Sequence, residues 1–142
     1  MKLSRTVAYA VQATLQLAQS KSESPVPCSQ LATAGRMPER FLLQILRHLV
    51  THGILHSTRG VEGGYALERR PEDISLLDVI EAIEGPLDVG WPETETSEAL
   101  AVDIRLREAL QQVTLSSRRQ LGAIKMSDLL GETTGSKSEP VA

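Results

Sequence analysis

The feature that most narrows the fold is the run "SQLATAGRMPERFLLQILRHLVTHGILHSTRGVEGGYAL", Ser29 to Leu67. Its first piece, "QLATAG", has the pattern of a short helix that Ser29 can cap and Gly35 can end. After a turn of about three residues, Pro38 suits the first turn of a longer helix, "PERFLLQILRHLVTHG". That helix is expected to bury Phe41, Leu42, Ile45, Leu46 and Leu49 and to stop at Gly53. "ILHSTRG" and "GYALERR" then read as two strands around a glycine-rich turn. A short helix, a tight turn, a longer helix and a hairpin describe a winged helix-turn-helix. In that arrangement the second helix of the pair enters the major groove of DNA and the hairpin is the wing.

The flanking sequence builds around this unit. Leu3, Val7, Ala10, Val11, Thr14, Leu15 and Ala18 follow a 3.6-residue period, which predicts a first helix over about residues 3–20. "KSESPVP" breaks it with charge, serine and two prolines. After the hairpin, Asp73 or Ser75 can cap "LLDVIEAIEG", an amphipathic helix closed by Gly85. "GPLDVGWPETETSE" is a loop, and a long helix follows over about residues 98–122. Val102, Leu106, Ala109, Leu110, Val113 and Leu121 trace an apolar stripe along it. So small a winged unit has too little core to cover this stripe. Packing back onto the same chain is one solution. Pairing with the same helix of a second copy is the expected one, with Val102, Leu106, Leu110 and Val113 at the seam.

The fold class expected is therefore mainly α with a small β-hairpin: a winged helix-turn-helix domain plus a long C-terminal dimerisation helix. The expected division is a DNA-binding unit over residues 1–85 and a loop over 86–97. The dimerisation helix and a short terminal helix follow over 98–130, and a polar, flexible tail over 131–142.

Composition sets the wider bounds. With 41% hydrophobic residues the chain can fold, yet only 3% are aromatic, so Leu, Ile, Val and Ala must build the core. No apolar run approaches the roughly 20 residues of a membrane span, and the N-terminus lacks the apolar block of a secretory signal. A membrane partner is not expected. A single cysteine, Cys28, rules out an internal disulfide and suits a cytoplasmic protein. The net charge of −3 is unevenly spread. Residues 1–70 hold nine Lys/Arg against four Glu, a net of +5, and residues 71–142 hold six against fourteen Asp/Glu, a net of −8. Nucleic acid would be drawn to the front half.

Within that half the hairpin carries the sharpest signal. Arg59 and Gly60 start the turn, Gly63 and Gly64 close it, and Tyr65 begins the return strand. A glycine tip is thin enough to approach the minor groove, and arginine suits the negative potential there. Arg40, basic and early in the longer helix, is placed to meet DNA as well. An ordinary solvated turn is the plainer alternative for the same residues.

With these elements in place, the sequence resembles the Rrf-type winged-helix regulators of bacteria, the family of the iron–sulfur cluster regulator and the cysteine-metabolism repressor. The likeness lies in "MKLSRTVAYAV", "PVPCSQLA", "FLLQILRHLVTHGIL", "STRGVEGGYAL", "ISLLDVIEAIEG" and "IKMSDLL", in order over about residues 1–130. It implies a homodimeric transcription factor, usually a repressor, that binds double-stranded DNA at partly palindromic operators. It further implies that Tyr9 reaches a phosphate, that Gln44 pairs with a base edge, adenine best matching its amide, and that Arg59 enters the minor groove.

One departure qualifies the likeness. Cluster-binding members carry three cysteines between the post-wing helix and the long helix, because such clusters need thiolates. Residues 86–107 here contain neither Cys nor His, and Pro92, Glu98 and Ile104 stand where those cysteines would lie. No cluster, no metal and no other cofactor is therefore expected. Trp91 sits in that loop and is expected to fill space beside the long helix. A cluster-free member can also take its signal from a regulatory partner protein, and a winged-helix interaction module with weak or lost DNA binding is the alternative reading. His48 and His52 share a helix face and His56 follows, but Gly53 turns the chain between them, so zinc is not expected. Cys28 has no charged neighbour in sequence to activate it as a redox sensor. No nucleophile–base pair, P-loop or dinucleotide fingerprint is present, which argues against an enzyme.

Overall fold

The structure, a computed structural model, describes residues 2–20, 24–88 and 97–131. Its elements in order are α1 (Arg5–Gln19), α2 (Cys28–Gly35), α3 (Glu39–Thr51), β1 (Leu55–Thr58), β2 (Gly64–Leu67), a 3-10 turn (Pro71–Asp73), α4 (Leu76–Glu84), α5 (Ser97–Ala123) and α6 (Met126–Gly131). The mainly helical fold with one small hairpin is the one expected. The Trp91 and Pro92 readings, the side chain of Glu98 and the tail from residue 132 lie outside the described residues.

Local chemistry explains most element ends. Ser4 caps α1, its Oγ accepting from the Val7 amide at 3.2 Å. Ser75, not Asp73, caps α4 in a reciprocal box: its Oγ accepts from the Asp78 amide at 3.0 Å, and Asp78 Oδ2 accepts from the Ser75 amide at 2.9 Å. Asp73 is instead taken up by the 3-10 turn that Pro71 starts. Gly53, at φ +76°, ends α3 as expected, with its amide on Val50 O and the Ile54 amide on Leu49 O.

Three boundary readings are corrected. Helix α2 starts at Cys28 with Pro27 as the flanking residue, so Ser29 lies inside the first turn and caps nothing. Its left-handed C-cap is Arg36, at φ 56°, rather than Gly35. A Cβ at Gly35 would stand 2.5 Å from Met37 Cε and 2.8 Å from Gln16 Nε2, the ends of two flexible side chains that would have to shift. Pro38 flanks α3 and does not form its first turn.

The core lies where α1, α3, α4 and α6 meet. Val7, Ala10 and Ala13 of α1 are buried, with Leu42, Ile45, Leu46 and Leu49 of α3, Val79 and Ile80 of α4, and Met126 of α6. Alanines on α1 let the neighbouring helices approach closely. Helix α6 is thus part of the core of the winged unit. The Leu76 amide donates to Ile124 O and the Met126 amide to Ile74 O, both at 2.8 Å, which ties the end of α5 back to the start of α4. An ion pair of Arg118 with Glu81 holds the same junction. Along α5, Val102, Ile104, Val113 and Leu115 are exposed.

Candidate nucleic-acid interface

Helix α3 sorts its residues by angle. At about 100° per residue, Leu42, Ile45, Leu46 and Leu49 form one stripe, and all four are buried. Arg40 and Gln44 lie on the opposite side, with Arg47 and Thr51 continuing the row at i+3 and i+7 from Gln44; all four are exposed. Phe41 corrects the sequence reading: it is 57% exposed. It sits at the edge of the buried stripe, about a quarter-turn from its middle. Arg40 and Arg47 form no ion pair among the described residues.

The hairpin stands beside this row. β1 and β2 pair antiparallel with Leu55 opposite Leu67, His56 opposite Ala66, Ser57 opposite Tyr65 and Thr58 opposite Gly64. Residues 59–63 make the tip. Gly60 adopts φ +110° with open space around it, and its carbonyl accepts from the Gly63 amide at 3.0 Å. Arg59, Val61 and Glu62 are exposed at the tip, Val61 fully. Gly63 packs against the Thr58 carbonyl. Gly64 has a tertiary reason: a Cβ there would stand 2.5 Å from the Val26 carbonyl and 2.8 Å from Pro27 N. The approach lets Val26 and Tyr65 exchange two backbone hydrogen bonds, at 2.9 and 2.8 Å. The segment before α2 is thereby stitched to the wing as an added bridge.

The other arginines of the hairpin region are paired. Arg69 donates to the Gly53 and Asp73 carbonyls at 3.2 and 3.1 Å and pairs with Asp78 at 3.4 Å. Arg70 pairs with Asp73 and Glu72. Arg59 is the arginine left free to point outward, since none of the described residues pairs with it. Tyr9, on α1, is half-buried and packs against the core.

Between α3 and the hairpin lies a cleft of about 370 Å³ lined by Arg47, Val50, Thr51, Ser57 and Tyr65. Burial of the phenol, with Cys28 close by, pushes Tyr65 above the usual tyrosine range against the opposing pull of Arg47. Cys28 itself is pushed up, first by burial and then by Glu39; its Sγ lies 3.8 Å from the Glu39 carbonyl. The three histidines do not converge. His52 Nδ1 lies 2.9 Å from the His48 carbonyl at the end of α3, and His56 is on β1. The sequence reading missed Arg47, Thr51, Ser57 and Tyr65. Helical spacing from Gln44 was signal enough for the first two. Ser57 and Tyr65 needed the hairpin register.

This architecture can be compared with known proteins. The profile of the Rrf2 family, described as iron-dependent transcriptional regulators, matches residues 3–132. The chain belongs to the Rrf2 family. It is a helix-turn-helix transcriptional regulator rather than an enzyme. Among Rrf2 relatives it is 38% identical over 128 residues to a Mycobacterium tuberculosis chain described as an HTH-type transcriptional regulator, covering 82% of this chain and 80% of that one. It is 30% identical over 136 residues to the HTH-type transcriptional regulator CymR of Bacillus subtilis, covering 95% and 94%. The fold superposes on the B. subtilis CymR structure with a TM-score of 0.67 at 29% identity, covering 92% of this chain and 97% of that one. On the T. potens IscR structure the TM-score is 0.68 at 28% identity, covering 99% and 94%.

The family description names iron, so the donor set of this Rrf2 chain matters. Its one thiol, Cys28, is the first residue of α2, and burial pushes it up rather than activating it. Among the described residues, no three His, Cys, Asp or Glu side chains gather as a metal site. Asp103, beside the Ile104 position, is buried but pairs with Arg107 at 3.1 Å. An iron–sulfur cluster needs several thiolates, and these residues do not fit one.

Proposed function

We propose that the protein is a homodimeric, cluster-free repressor that acts in the cytoplasm on a partly palindromic DNA operator. The observation that carries this reading is the exposed row Arg40 and Gln44 on α3, flanked by the outward-pointing Arg59 at the wing tip. In this reading α3 lies in the major groove. Gln44 reads a base edge, and the exposed Phe41 can meet a thymine methyl. Arg59, with Gly60, Gly63 and Gly64 keeping the tip thin, enters the minor groove. Tyr9, half-buried on α1, contributes a phosphate contact. Glu62 at the tip opposes DNA, which makes Arg59 the more necessary.

The dimer seam is assigned to the N-terminal two-thirds of α5. Val102, Leu106, Leu110 and Val113 share one side; the valines are exposed and the leucines half-buried. The C-terminal end is already held by α4 through Arg118 and Glu81. Residues 1–85 then form the DNA-binding unit, supported by the returning α6. Repression needs only that the dimer cover its operator, which is why it is the sense proposed. A regulatory partner protein would act on this dimer rather than replace its DNA binding.

The test is selection of bound genomic fragments followed by competition with single-base variants. Gln44→Ala is expected to cost about 1–3 kcal/mol at one base pair of each half-site and nothing elsewhere. Arg59→Ala is expected to weaken all sequences, most where the minor groove is narrow. Half-sites should lie about one helical turn or slightly more apart. If both variants bind as the unmodified protein does, this face is not the DNA surface.

A further inference from the structure

A helix in the major groove and a hairpin in the adjacent minor groove must straddle the sugar–phosphate strand that separates the two grooves. Whatever lies between them therefore faces phosphate. In this protein that place is the cleft between α3 and the wing, and its lining is unusually suited to an anion. Arg47 enters from α3 with Thr51 one turn further on. Ser57 and Tyr65 enter from β1 and β2 as directly opposed residues, so their side chains share one face of the hairpin. One guanidinium and three hydroxyl-bearing side chains line the cleft, no carboxylate does, and Arg47 has no acidic partner among the described residues. Val50 is the one apolar side chain in the lining.

We propose that this cleft seats one backbone phosphate of the bound DNA, paired with Arg47 and hydrogen-bonded by the Thr51, Ser57 and Tyr65 hydroxyls. The inference rests on the DNA-binding reading above and deepens it. It makes Arg47 a positioning residue: it reads no base, but it fixes how deep α3 sits and where the wing lands. Tyr65 is held at the same time by its two backbone bonds to Val26, so the seated phosphate is linked to the segment that leads into α2. The phenol is protonated at neutral pH, as an ordinary tyrosine is, so it can donate.

The experiment uses the full chain and a selected operator carrying one neutral methylphosphonate at a time. One position per half-site, between the major-groove and minor-groove contacts, should weaken the unmodified protein roughly tenfold. Arg47→Ala should bind the unmodified operator about that much more weakly and then ignore the same methylphosphonate. It should also reduce the slope of log affinity against log salt by ~0.9 per site occupied. Arg47→Lys should restore the salt slope, and base preference at the Gln44 position should not change. A merely structural Arg47 would lower affinity equally at every methylphosphonate position, which overturns the proposal. So does an unmodified protein that binds its operator while Arg47→Ala matches it. A free-anion site is the other source of the same chemistry. Tight, saturable binding of inorganic phosphate to the DNA-free protein, lost in Arg47→Ala with operator affinity intact, would overturn the DNA assignment. Failure of the unmodified protein to bind any DNA would instead sink the underlying reading.

Discussion

Replacing Gly64 with alanine tests how the wing is held. The added Cβ would stand 2.5 Å from both the carbon and the oxygen of the Val26 carbonyl and 2.8 Å from Pro27 N. All three are backbone atoms, so no side-chain rotation relieves the contact. The strand at Val26 must retreat, and the two hydrogen bonds it exchanges with Tyr65 lengthen or break. At a net ~0.5–1.5 kcal/mol each, their loss destabilises by ~1–3 kcal/mol. For a domain of this size that lowers the melting temperature by roughly 4–12 °C at fixed protein concentration. Gly60→Ala is the control: its φ of +110° strains alanine, but nothing lies within 4 Å, so the cost is the backbone strain alone, about 1 kcal/mol. The assay is thermal denaturation with amide exchange at Val26 and Tyr65, followed by operator binding. Gly64→Ala should lose protection at both amides and bind DNA more weakly, with base preference at the Gln44 position unchanged. If Gly64→Ala melts with the unmodified protein and keeps both amides protected, the bridge does not anchor the wing.

Three further outcomes are expected. Leu106→Glu with Leu110→Glu places charge on an apolar seam and should convert the dimer to monomers in sedimentation; an unmodified protein already monomeric at micromolar concentration refutes the seam. Anaerobic reconstitution with iron and sulfide should give no stoichiometric coloured cluster, and one with bound iron and sulfide would overturn the donor-set argument. Cys28 should react with iodoacetamide more slowly than a free thiol near pH 8, with its reactivity rising at higher pH. Its folded pKa is raised, so the stability linked to the neutral thiol is complete below the unfolded pKa and lost as pH climbs through the folded one; a reactivity midpoint below the ordinary cysteine value refutes this.

Much of the winged unit was legible because its signals are local. The spacing of Leu42, Ile45, Leu46 and Leu49 specifies which side of α3 is buried, and the same arithmetic turns Arg40 and Gln44 outward. Gly53 ends that helix because only its own backbone geometry is at stake. Ser75 and Asp78 cap α4 across three residues. Features that join distant residues were not legible. Phe41 was read as core because its place at the edge of the stripe matters only once α1 and α4 are packed. Arg69 and Arg59 look alike in sequence, yet one is spent on Gly53, Asp73 and Asp78 and the other points outward. Gly35 was read as the end of α2, and the helix does run to it, but Arg36 takes the left-handed cap. Gly64 was read as part of a thin tip, and the backbone at Val26 is what excludes a side chain there. Periodicity and capping act within a turn or two of chain, so the amino-acid order alone determines them. The cleft between α3 and the wing, the stitch from Val26 to Tyr65 and the return of Met126 to the core bring together segments far apart in sequence, and only the packed chain decides which atoms meet.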